Sequence, residues 1–240
     1  MTALSILVVG LLMGMKHATE ADHLAAVATL ATRQGSLADA LRQGAAWGIG
    51  HTLTLMLFGG ALVSLGQAVS AGLEQALESA VGLMLIVLGA DVLRRLVLDR
   101  IRCHVHRPDS DAAHVHAHGR RCEGPHRAFA HRDAGPLRWP VRALAVGMMH
   151  GLAGSAALVV PALQTMPSVR LGIAYIALFG VGSIAGMALL SMLITVPLKL
   201  SSGYLTGAHQ AMTALVGAFG CALGISIVIQ MGSLRQLLPV

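Results

Sequence analysis

Gly14 to Val27 reads GMKHATEADHLAAV, and it sets Lys16, His17, Glu20, Asp22 and His23 inside a run that is otherwise apolar. Ionisable side chains in a segment of membrane-crossing length are rare and mark ion paths, relays or ligand sites. Each charge near the centre of a spanning helix costs roughly 2.5–3.5 kcal/mol on insertion scales, while a Leu, Ile or Val contributes about 0.3–0.6 in favour. Lys16, Glu20 and Asp22 together would cost roughly 8–10 kcal/mol, against about 3–6 from the ten Leu, Ile and Val residues between Leu4 and Leu30. The segment therefore has to face protein, water or an ion.

Helix geometry sharpens the point. At about 100° per residue, His17, Glu20 and His23 fall within an arc of about 120°, whereas Asp22 lies roughly 140° from His17. An unbroken helix does not aim all four at one point. Either the first helix is broken near this motif, or an ion passes from one subset of ligands to another. Discontinuous helices at mid-membrane are a recurrent way to build ion sites.

The spacing of His17, four residues, Asp22 and His23 resembles the H-x-x-x-x-D-H signature of the nickel/cobalt transporter family, including its short UreH-like members. The resemblance implies that His17, Asp22 and His23 bind a transported metal. Gly48, Ile49, Gly50, His51 and Thr52 are similar to a G-x-G-H-S/T pattern on the family's following helix, which implies His51 as a further ligand or gate. Longer members carry a later motif of the L-G-F-D-T-A-T-E kind, where this chain reads GMMHGLAGSAAL from Gly147. That departure favours the short branch and leaves metal selectivity and transport direction open.

Composition agrees with a membrane setting. Of 240 residues 55% are hydrophobic and 12% charged, and the mean hydropathy is +0.70, too apolar for a soluble domain of this size. Apolar windows at about 3–32, 43–66, 73–97, 141–163, 171–197 and 207–231 predict an all-α polytopic membrane protein with six transmembrane helices. Met1 to Met15 has neither a basic start nor a small-residue cleavage site, so it reads as the start of the first helix. The formal charge of +6 does not point to nucleic acid, because eleven arginines gather between Arg94 and Arg142, in or beside one loop. The positive-inside rule then sets that loop in the bacterial cytoplasm and both termini outside.

The second half echoes the first. Gly14, Met15, Lys16 and His17 match Gly147, Met148, Met149 and His150, and Gly48, Ile49 and Gly50 match Gly180, Val181 and Gly182. Val81 and Gly82 likewise match Val216 and Gly217. The expected organisation is a 3+3 inverted repeat, with residues 1–98 and 139–240 as its halves. Such pairs place a substrate site near the midplane at their interface. His150, at the repeat position of His17, becomes a further candidate ligand, while Asp22 and His23 correspond to Ser155 and Ala156.

Between the halves, loop 99–138 holds seven of the twelve histidines, with Cys103 and Cys122. His104, His106, His114, His116 and His118 form a secondary metal-binding candidate, read as a cytoplasmic reservoir or sensor. No pair of C-x-x-C units is present, which argues against a fixed zinc finger.

Imidazoles with one carboxylate suit intermediate divalent ions, whereas Mg(II) and Ca(II) take more oxygens. The expected function is a secondary carrier of Ni(II) and/or Co(II), in the uptake direction, with the ion as cargo and no resident cofactor. Efflux, or accessory work in metalloenzyme assembly, remains open, as does partnership with a metal chaperone or a second copy of the chain. Enzyme classes find no support: H-E-x-x-H and the P-loop are absent, and a thiol–electron carrier needs paired membrane cysteines where Cys221 stands alone.

Overall fold

The computed structural model describes residues 3–32, 36–65, 70–100, 103–106, 114–117, 140–153, 168–204 and 206–237. The first span is broken at the motif. Helix α1 (Ala3–His17) ends where the Thr19 and Glu20 amides donate to carbonyls only three residues back, on Lys16 and His17. The Thr19 hydroxyl also donates to the Lys16 carbonyl, at 2.6 Å, satisfying an acceptor that a continued helix would have used. Glu20 is extended (φ −63°, ψ 151°), and α2 (Ala21–Ala31) restarts from its carbonyl at an angle of 56° to α1.

Five further helices follow: α3 (Leu37–Leu65), α4 (Ala71–Arg100), α5 (Val141–Leu152), α6 (Val169–Tyr204) and α7 (Thr206–Leu237). Helix α3 starts earlier than the apolar window because Ser36 caps it. The Ser36 hydroxyl accepts the Asp39 N–H at 3.0 Å and donates to the Asp39 carboxylate at 2.6 Å, which meets an otherwise orphaned donor. Hydropathy does not register such polar starts. Near the arginine-rich loop, Asp91 of α4 pairs with Arg95 on its own helix and with Arg142 of α5.

Helices α4, α6 and α7 are long and apolar enough to cross a membrane, the bent pair α1–α2 counts as a fourth crossing, and α5 is a shorter apolar helix. Leu57, Leu83, Val87, Leu193 and Leu215 lie exposed on outer faces. An apolar exterior of this extent suits lipid, not water. The chain is therefore a helical, multi-pass membrane protein. Residues 154–167, which include most of the second half of the window expected at 141–163, lie outside the described residues.

Close backbone contact at glycine holds the bundle together, as expected where lipid removes the hydrophobic drive between helices. A side chain on Gly14 would overlap the Phe179 carbonyl of α6, and one on Gly147 would overlap the Trp47 carbonyl of α3. Gly182 sits on the Leu11 carbonyl, and Gly50 on the Leu144 carbonyl. In α4 and α7, Gly82 meets Gly224 while Gly89 meets Gly217, so these two helices run antiparallel. Buried around these contacts are Ala18, Ala25, Val27, Trp47, Leu85, Val146 and Met187.

The described part of the arginine-rich loop is a two-stranded antiparallel ribbon, β1 (Cys103–His106) with β2 (His114–Ala117). This adds a small β element to an otherwise helical fold.

Candidate metal centre

The break in the first span delivers two histidines to one place. His17 is the last residue of α1, and His23 lies in the first turn of α2. Helix α3 adds His51, and α5 adds His150 in its own last turn. All four are buried, His51 completely. Two helix C-termini thus converge on the pocket, and their partial negative charge favours a cation there.

The rings form a contiguous cluster. His17 and His23 have centroids 4.4 Å apart, His23 and His150 4.6 Å, and His51 lies 5.3 Å from both His17 and His23. Asp22 joins them with both oxygens: Oδ1 is 3.0 Å from His23 Nδ1, and Oδ2 is 3.3 Å from His150 Nε2. Ligand atoms within 4.8 Å of one another fall into two groups of three, His17 with His23 and His51, and Asp22 with His23 and His150.

Seven imidazole nitrogens in this pocket are buried without a hydrogen-bond partner among the described residues. Two of them lie near a carboxylate, His150 Nε2 at 3.3 Å from Asp22 and His17 Nδ1 at 3.0 Å from Glu20. The other five have neither. Buried polar groups are normally paired, so this arrangement is not explained by stability. Imidazoles gathered beside one carboxylate, each able to offer one ring nitrogen, are a donor set for an intermediate divalent cation.

The structure brings together all five of the core residues singled out in the sequence: His17, Asp22, His23, His51 and His150. Three neighbours lie outside that candidate ligand set. Glu20, half-exposed at the break, sits against His17. Trp47 stacks on His23 (5.5 Å, 22°) and meets His150 edge-on at 5.5 Å, while Phe179 lies 5.4 Å from His17. A signal for Trp47 existed: it precedes Gly48 as Phe179 precedes Gly180, so the two aromatics hold matching repeat positions.

Other histidines lie elsewhere. The His209 ring nitrogen is 3.0 Å from the Leu198 carbonyl, a helix–helix bond. In the ribbon, the backbone register sets His104 opposite His116 and His106 opposite His114. His118 lies outside the described residues.

Comparison with known proteins gives the family. The chain is 32% identical over 230 residues to the urease accessory protein UreH of Bacillus sp. (strain TB-90), spanning 95% of this chain and 92% of that protein. No family model matches the sequence. No solved structure matches it either. With this relative aligned over nearly its whole length, and the H-x-x-x-x-D-H residues gathered in one buried pocket, the chain belongs to the UreH-like branch of the nickel/cobalt transporter family.

Proposed function

We propose that the protein is a secondary carrier of Ni(II) and/or Co(II), working in the uptake direction across a bacterial cytoplasmic membrane. The observation that carries this reading is the pocket of four buried imidazoles and Asp22 at the break of the first span. The ion is cargo, and the protein is not an enzyme. His17, Asp22, His23, His51 and His150 act as ligands, and the C-terminal ends of α1 and α5 add favourable potential.

Alternating access in this reading comes from a 3+3 inverted repeat of six crossings, residues 1–98 against 139–240. Reciprocal contacts support it. Gly14 on Phe179 mirrors Gly147 on Trp47, and Leu11 under Gly182 mirrors Leu144 under Gly50. The ring pair His17–Phe179 mirrors His150–Trp47. A pseudo-two-fold axis generates such swapped pairs and puts the pocket at the repeat interface. Both termini then face outward, and the 99–138 loop is cytoplasmic. The histidines of that loop, His104, His106, His114, His116 and His118, act as a reservoir at the cytoplasmic side, which the facing positions in the ribbon support.

A second reading is favoured by the relative's description as a urease accessory protein: the chain serves the assembly of a nickel enzyme, for which supplying nickel through the membrane is one means. Accumulation of labelled nickel and cobalt in cells tests the proposal. Cells carrying the wild type gain metal over cells without the gene, His17→Ala and Asp22→Asn abolish the gain, and deletion of residues 104–131 keeps it with altered affinity. Normal uptake by His17→Ala would overturn the site, and lower accumulation with the gene than without it would reverse the direction.

A further inference from the structure

Building on the carrier reading, we propose that the pocket holds a single divalent ion at two alternative positions sharing His23, and that the ion crosses by passing between them. The first position is His17, His23 and His51; the second is Asp22, His23 and His150.

Ligand bonds of about 2.0–2.2 Å require donors of one ion to lie within about 4.4 Å of each other. Among the described residues the donors near that separation divide into two groups of three with one member in common. His23 is built to belong to both. Its ring lies between those of His17 and His150, at 4.4 and 4.6 Å, with Nδ1 held at 3.0 Å from Asp22 and Nε2 buried and unpartnered. Trp47, stacked nearly parallel to it, restricts the ring. The two positions differ in charge, because the first is all imidazole and the second includes the Asp22 carboxylate. Two divalent ions side by side would repel strongly in a water-poor interior, which favours occupation of one position at a time. Shared ligation also lets an ion move without losing every protein ligand at once, and conduction through multiple weak sites needs such a path.

The test uses the full chain in lipid nanodiscs, carrying Trp139→Phe so that Trp47 is the one indole left of two, with Co(II) as the probe. Cobalt in the pocket quenches Trp47 and gives visible ligand-field bands. Wild type binds one pocket equivalent. His51→Ala and His150→Ala, each checked against His51→Gln and His150→Gln for folding, still bind one equivalent within about tenfold of wild-type affinity, about 1.4 kcal/mol. Their band patterns differ, one carrying the carboxylate position and the other the imidazole position. Nickel uptake by either falls at least tenfold, and His51→Ala combined with Asp22→Asn removes pocket binding. If each single variant loses quenching as completely as that combination, the site is undivided and the proposal fails. Saturation of wild type at two pocket equivalents also overturns it. If wild type itself shows no quenching, the carrier site falls, and this inference with it.

Discussion

Replacing His23 by Gln removes the one side chain common to both groups of candidate donors while keeping the pocket filled and a hydrogen bond to Asp22 available. The size of the effect follows from what an imidazole donor contributes. Apparent binding energies of about 10–16 kcal/mol for four-ligand zinc sites correspond to about 2.5–4 kcal/mol per ligand, or roughly a 10²- to 10³-fold change in affinity. His23 is almost wholly buried and Trp47 closes one face of its ring, so no solvent-exposed group stands ready to replace it from that side. The assay is Co(II) titration of the purified protein in nanodiscs, with labelled nickel uptake in cells alongside. Thermal unfolding and size exclusion establish that the variant is folded. His23→Gln is expected to weaken pocket binding by at least 100-fold and to abolish uptake at submicromolar nickel. A folded variant whose affinity stays within threefold of wild type would refute the assignment of His23 as a ligand.

Nickel uptake should fall from pH 7.5 to 5.5, because imidazole binds metal only when neutral and protons compete for the same lone pairs; an uptake rate unchanged over that range would count against imidazole ligation. Glu20→Gln removes a half-exposed carboxylate beside His17. Solvent screening limits that interaction to about 0–1 kcal/mol, so the uptake KM should rise no more than about fivefold; total loss of uptake would mean that Glu20 is itself a ligand. Gly147→Val forces a side chain into the Trp47 carbonyl, whereas Gly60→Ala meets nothing within 4 Å. The first should destabilise the protein by about 1–3 kcal/mol or more and the second should be silent, as read from thermal unfolding in detergent.

Much of the site was legible because its chemistry is costly. Charges and imidazoles in an apolar run stand out against the composition, and the 140° offset of Asp22 from His17 required either a broken helix or a divided ligand set. The structure has the break, at Ala18–Glu20, and it sets the candidate donors in two groups of three that share His23. His150 was visible only through the repeat, since no local feature separates it from an ordinary helix-end histidine. Glu20 shared the arc of His17 and His23, but the angle alone did not say that an extended residue at the break would turn its carboxylate onto His17. Trp47 is part of the buried core, and its second role depends on which rings pack on it. The ribbon was the clearest omission. CHVH and HVHA alternate polar and apolar residues with a strand period, a pattern overshadowed by the histidine content that drew notice to the loop.

Trp47 also supplies the most direct measurement, because its ring is 5.5 Å from both His23 and His150 and far more local to the pocket than any whole-protein binding signal. In the Trp139→Phe chain in nanodiscs, Ni(II) should quench Trp47 emission saturably, and chelator should restore it. Tight nickel binding by the folded protein with Trp47 emission unchanged would place the metal elsewhere and contradict the account.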